Sequence, residues 1–139
     1  PEVTLSYYDD PRGHSVPGFD PEWRRTVLGA WGSLTETPVI DGGVYAQTRG
    51  PRFETPAEVR ALAQHADLVG MTIAAEAILA REAALAYAAI CTIDNLANGI
   101  GERPLTLEEY RRGRDRTGAR LLTDLQLVLP ELAKERPGR

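Results

Sequence analysis

Between Val39 and Met71 the chain is left with few ways to fold. Val39–Thr48 reads as a strand, broken at Gly42-Gly43 where a bulge or close backbone approach is expected. Gly50-Pro51 then forces a turn, and Thr55-Pro56-Ala57-Glu58 has the spacing of a capping box with proline at the first helical position. The helix it opens is predicted to reach about Ala66, and Asp67–Met71 follows as a short buried strand. Strand, turn, capped helix and strand in that order argue for an α/β class with layered architecture. Ligands in such folds collect at the carboxyl ends of the strands.

The flanking sequence keeps the same alternation. Val3–Tyr8 reads as a short strand or extended edge, and Asp9-Asp10-Pro11-Arg12-Gly13 as a turn. Trp23, Val27, Leu28, Trp31 and Leu34 recur at helical spacing over Pro21–Leu34, with both tryptophans expected to face a core. Ala74–Ala84 is predicted helical, and Leu85–Ile93 is a nearly continuous apolar run, read as a strand in a sheet covered on both faces. A second capping box, Thr106-Leu107-Glu108-Glu109, opens a long helix. Its inner stripe is read as Tyr110, Leu121, Leu122, Leu125 and Leu129, with Pro130 as the stop and 131–139 as a frayed, charged tail.

With 139 residues, 42% of them hydrophobic, and neither a repeat nor a linker, one domain is expected. The 16 basic and 20 acidic residues are interspersed and give a net charge of -4, so nucleic acid and anionic membrane surfaces are poor partners. The one cysteine, Cys91, lies in an apolar run and is expected to be a buried thiol, which fits a reducing, cytoplasmic compartment. The first residues have neither a basic nor an apolar region of the kind a signal peptide needs, and no window is apolar enough to span a membrane. The chain begins at Pro1, close to a strand-like segment, so an upstream portion is expected to be missing.

Chemistry-bearing side chains gather where strands end. Phe53 can stack on a flat base and Glu54 can accept hydrogen bonds from ring N–H groups. Equally, Phe53 can pack in a core and Glu54 can complement the dipole of the helix that follows. Asn95 closes the apolar run, either as a turn residue or as an amide facing a ligand. Met71 and Thr72 end the second strand, where they read as a core residue and a helix N-cap, and Tyr45 as a half-buried strand tyrosine. The two histidines, His14 and His65, are too far apart to give a metal-ligand spacing with Cys91.

Gly43–Thr48, the run Gly50-Pro51-Arg52-Phe53-Glu54-Thr55-Pro56-Ala57-Glu58, Gly70-Met71-Thr72 and Asn95 together resemble the nucleoside-binding half of the trimeric purine nucleoside and methylthioadenosine phosphorylases. The resemblance implies a layered αβα fold with a central mixed sheet, of which residues 1–139 would be the C-terminal portion of a single domain. It implies phosphorolysis of a purine nucleoside, with inorganic phosphate as co-substrate and no other cofactor. It also implies a homotrimer or hexamer, or a complementing N-terminal half.

By the same resemblance, Phe53 and Val69 line the base pocket and Glu54 holds the N1–H edge of a 6-oxopurine. Asn95 stabilises the departing base, Met71 and Tyr45 meet the sugar, and Thr72 contacts phosphate. Leu107 stands near where relatives accepting a free 5′-hydroxyl place histidine, so an apolar 5′ group is expected; a polar group left unpaired there would cost about 1–3 kcal/mol. Gly13-His14-Ser15-Val16-Pro17 resembles a segment donated to the neighbouring subunit's sugar pocket. Together these imply a methylthioinosine-like substrate.

Departures leave alternatives open. Asp94 precedes Asn95, and a one-residue shift would put a carboxylate in the pocket, as a methylthioadenosine phosphorylase requires. Gln64-His65-Ala66-Asp67 is one residue short of the family pattern, and Ala75 replaces a common proline. The family's Gly-Ser phosphate loop is absent, and Gly99-Ile100-Gly101 reads as a plain loop, so a non-catalytic nucleoside-binding or assembly chain is a further alternative.

Overall fold

The computed structural model describes residues 6–102 and 104–135. The helices are α1 (Pro21–Leu34), α2 (Pro56–Leu62), α3 (Ile73–Glu82) and α4 (Leu107–Leu132), and the strands are β1 (Tyr45–Gln47) and β2 (Leu68–Gly70). β1 and β2 pair in parallel with Tyr45 opposite Leu68, Ala46 opposite Val69 and Gln47 opposite Gly70. The pairing is extended at both ends, by Asp67 and Leu68 N–H donating to the Val44 carbonyl and Thr48 N–H to the Gly70 carbonyl. The result is a mixed α/β structure around a parallel ladder, with α2 as the crossover.

Capping fixes where the helices begin. The Asp20 carboxylate accepts from the N–H groups of Glu22 and Trp23, and Pro21 takes the first helical position of α1. Thr55 and Glu58 form a complete capping box at α2, as do Thr106 and Glu109 at α4. The core sits between α1 and α4, where Trp31 and Val128 are buried; Val59, Ala77 and Ala80 are buried elsewhere. The buried Asp124 carboxylate accepts from the Thr37 hydroxyl at 2.5 Å, and Thr37 in turn accepts from Arg120 Nε at 2.7 Å, tying the segment after α1 to α4.

Several expectations are corrected. Ser6–Tyr8 are not strand, and the rest of that segment, Val3–Leu5, lies outside the described residues; Pro11–Gly13 form a 3-10 turn. Instead of pairing in a sheet, Ser6 and Tyr7 dock on α3, where the Glu82 carboxylate accepts from the Ser6 hydroxyl and the Tyr7 N–H, both at 2.6 Å. The first inner strand starts only at Tyr45, because Gly42 and Gly43 take φ of +123° and +117°, outside the extended region. α2 stops at Leu62 and passes into a turn before Asp67.

Leu85–Ile93 forms no ladder, since no strand lies beside it among the described residues. It is moored near its start instead. Tyr87 accepts from Asp20 N–H, stacks on Phe19 at 5.9 Å between ring centroids and donates to Glu76 at 2.7 Å. Cys91 is exposed rather than buried, although the surrounding atoms still push its thiol pKa up.

In α4, Leu122 and Leu129 point to solvent. The buried positions are Gly113, Asp124 and Val128, with Thr117, Leu121 and Leu125 half-buried. Pro130 does not stop α4, which continues to Leu132; 136–139 lie outside the described residues.

Candidate functional site

Predicted site residues meet at the carboxyl ends of β1 and β2. The Tyr45 ring lies across Gly70, where an added Cβ would collide with the phenol, and its hydroxyl accepts from Thr72 N–H at 3.3 Å. Met71 folds back over the Gly50-Pro51 turn, so that a Cβ on Gly50 would lie 2.6 Å from its Sδ. Val69 is half-buried in the ladder opposite Ala46. Thr72 occupies the N-cap position of α3, but its exposed hydroxyl makes no capping bond.

Thr48 joins this cluster to Glu54. Its hydroxyl donates to Glu54 Oε1 at 2.5 Å and lies 3.4 Å from the Gly70 carbonyl. Glu54 therefore sits beside the end of β2, at the start of the α2 crossover. Phe53 packs on Tyr110 of α4 with ring centroids 5.5 Å apart and planes tilted by 58°. The neighbouring Arg52 makes a bidentate pair with Glu58 at 2.7 and 2.9 Å, and this bond together with the Thr55 cap holds the Glu58 carboxyl at about 2. That pairing fixes the turn on its solvent side.

The loop carrying Asn95 is held by its neighbours. Asp94 Oδ1 accepts from the Thr92 hydroxyl at 3.0 Å and from the Thr117 hydroxyl of α4, while the Asp94 carbonyl presses on Gly113. Asn98 spans two segments: its Nδ2 donates to the Glu54 carbonyl at 3.2 Å and its Oδ1 accepts from Leu105 N–H at 3.2 Å. The half-buried Asn95 amide has no hydrogen-bond partner among the described residues. Asp94 is thus committed to the scaffold, and Asn95 is the uncommitted polar group beside it.

Two predicted residues stand apart. Leu107 is the first residue of α4 and is 54% exposed, so the expectation of a buried leucine is corrected. His14 is exposed at the end of the 3-10 turn, with its backbone N–H bonded to the Pro11 carbonyl. Sequence reasoning passed over Thr48, Gln47, Asn98 and Thr117, all of which position site residues. Asn98 alone left a signal, as the second asparagine of Asn95-Leu96-Ala97-Asn98-Gly99. Among the described residues no group of three or more His, Cys, Asp or Glu side chains could hold a metal ion, and no helix is long and apolar enough to cross a membrane.

A family model described as the Phosphorylase superfamily matches residues 3–125. A probable 6-oxopurine nucleoside phosphorylase of Archaeoglobus fulgidus is 45% identical over 76% of this chain and 43% of its own length. A probable S-methyl-5′-thioinosine phosphorylase of Methanopyrus kandleri is 43% identical over 75% of this chain and 41% of its own. A 6-oxopurine nucleoside phosphorylase of Pyrococcus furiosus is 37% identical over 85% of this chain and 44% of its own. The chain spans less than half the length of these curated relatives.

Proposed function

The chain belongs to the Phosphorylase superfamily, and from that premise we propose that it is the C-terminal portion of an enzyme converting a purine nucleoside and inorganic phosphate to free base and pentose 1-phosphate. In that reaction a phosphate oxygen bonds to C1′ as the bond from C1′ to N9 breaks and its electron pair passes to the purine. The base acquires charge over N7 and O6 and gains a proton. No metal or organic cofactor is needed. The protein's part is to orient the reactants and stabilise the departing base.

One observation carries the choice of base. Asp94 is held by two threonine hydroxyls, whereas the Asn95 amide next to it has no hydrogen-bond partner among the described residues. An amide N–H suits the charge growing on N7 and O6 of a 6-oxopurine, and Glu54 suits its N1–H. A methylthioadenosine phosphorylase would need the Asp94 carboxylate turned into the pocket, against both bonds.

The 6-oxopurine and S-methyl-5′-thioinosine names of the relatives support the same reading. The 5′-methylthio sugar rests on the S-methyl-5′-thioinosine names among the relatives, with Leu107, exposed in this chain, and His14 as residues that would reach the 5′ group only with a neighbouring subunit in place. Tyr45 and Met71 would meet the ribose, Phe53 and Val69 the base, and Thr72 the phosphate. The reading includes a layered αβα fold with a central mixed sheet, a cytoplasmic location, and a homotrimer, hexamer or complementing N-terminal half.

The test compares phosphorolysis of methylthioinosine, inosine and methylthioadenosine by the intact protein. The 6-oxopurines are expected to be preferred, with methylthioinosine first. Clear preference for methylthioadenosine would overturn the base assignment, and no phosphate-dependent release of any base would overturn phosphorolysis itself.

A further inference from the structure

Three α-helices of this chain are capped by the residue that precedes them. Asp20, Thr55 and Thr106 all have extended backbone and accept from their own helix N–H groups. α3 differs. Thr72 has φ -130° and ψ -44° and gives no side-chain cap. The acceptor comes from another element: Gln47 Oε1 takes the Ala74 N–H at 2.6 Å. Ala74 is the second residue of α3, whose N–H an N-cap threonine would normally bind. Gln47 can reach it because β1 and β2 are in register with Gln47 opposite Gly70, and because Gln47 and Tyr45, two residues apart on a strand, share a face. The pair grips the turn at two points, Tyr45 at Thr72 N–H and Gln47 at Ala74 N–H.

We propose that Gln47 is a positioning residue: by capping α3 in place of Thr72, it leaves the Thr72 hydroxyl free to bind phosphate. This rests on the phosphorolysis reading, in which Thr72 meets that co-substrate. A free hydroxyl can donate to a phosphate oxygen, whereas a hydroxyl drawn back to cap Ala74 is turned towards its own helix. Removing the Gln47 amide invites that exchange, so its loss is felt by phosphate more than by the fold.

The experiment is a double-mutant cycle of Gln47→Ala and Thr72→Ala in the intact protein, read by thermal melting and by steady-state kinetics with inorganic phosphate. Gln47 is exposed, so its truncation leaves the core untouched. Gln47→Ala alone is expected to move the melting temperature little, because Thr72 takes over the cap, and Thr72→Ala alone likewise. The double variant, with both caps gone, should melt ~4 °C lower. In kinetics, Gln47→Ala should raise the KM for phosphate about tenfold with the nucleoside KM within about twofold, and should add little on top of Thr72→Ala.

A double variant that melts no lower than Gln47→Ala overturns the exchange of caps. Effects on the phosphate KM that multiply in the double variant overturn the link from Gln47 through Thr72. Should the unsubstituted protein prove not to use phosphate, the phosphorolysis reading fails, and the melting cycle still decides the exchange of caps.

Discussion

Asp94 and Asn95 are adjacent polar residues with opposite fates. Thr92 and Thr117 bind the carboxylate of Asp94, whereas Asn95, without a hydrogen-bond partner among the described residues, is the amide proposed to meet the base. Asn95→Ala is therefore expected to lower kcat roughly 100-fold with little change in the nucleoside KM, since the amide's bond strengthens only as charge develops on the base. Asp94→Asn should cost stability of about 1 kcal/mol through the weaker, uncharged acceptor and leave the proposed 6-oxopurine preference unchanged. Steady-state kinetics on inosine and adenosine analogues, with denaturant melts, separate the two. Gain of adenine-nucleoside activity in Asn95→Asp, but not loss of it in Asp94→Asn, would agree. The sequence showed both residues, but could not show which was engaged. The deciding partner, Thr117, lies a full segment away on α4, and no local pattern announces that contact.

At the scale of elements, legibility followed the range of the interactions. The starts of α1, α2 and α4 were readable because a cap is a bond between residues two or three apart. Leu85–Ile93 was misread because a strand exists only through a neighbour. Of the expected α4 stripe, Tyr110, Leu121 and Leu125 are half-buried but Leu122 and Leu129 are exposed, because the inner face holds Gly113, Thr117 and Asp124, residues a hydrophobic count assigns to solvent.

Gly113 is where α4 meets the Asn95 loop, and a Cβ there would collide with the Asp94 carbonyl. Gly113→Ala should destabilise by roughly 1–3 kcal/mol despite alanine's higher helix propensity, and should impair turnover by displacing Asn95. Greater stability on denaturant melting would refute the contact. The α2 cap makes a pH prediction. Glu58 has its carboxyl lowered from 4.5 to about 2, chiefly by the Arg52 bond. A depressed pKa gives stability that is full above the unfolded value and is lost as pH falls towards the folded one. The difference in melting temperature between the unsubstituted chain and Glu58→Gln should therefore shrink between about pH 4.5 and about pH 2, and a constant difference across that range would contradict the assignment.

The whole molecule exposes more surface than its mass warrants. A folded monomer of 15.2 kDa shows roughly 7,000 Å², and this chain shows 10604 Å². Part of the surplus borders a cleft of about 950 Å³ between α1, α4 and the extended segment, lined by Val27, Leu28, Trp31, Ile90 and Ile93 among others. Two orphaned features meet there. Among the described residues the buried Trp31 Nε1 has no hydrogen-bond partner and Ala88–Ile93 make no backbone hydrogen bond. Buried donors and extended apolar backbone are normally paired. A complementing N-terminal half that supplied strands would satisfy both, and on the phosphorolysis reading would bring further anion-binding groups beside Thr72. The 139-residue chain by itself should then bind an apolar dye such as ANS, exchange the amides of Ala88–Ile93 rapidly and release no base from methylthioinosine. Adding a separately produced N-terminal half should displace the dye, protect those amides and start phosphate-dependent turnover together. Full turnover by the chain alone, or dye and amides indifferent to the added half, would show that the cleft does not seat strands from such a half.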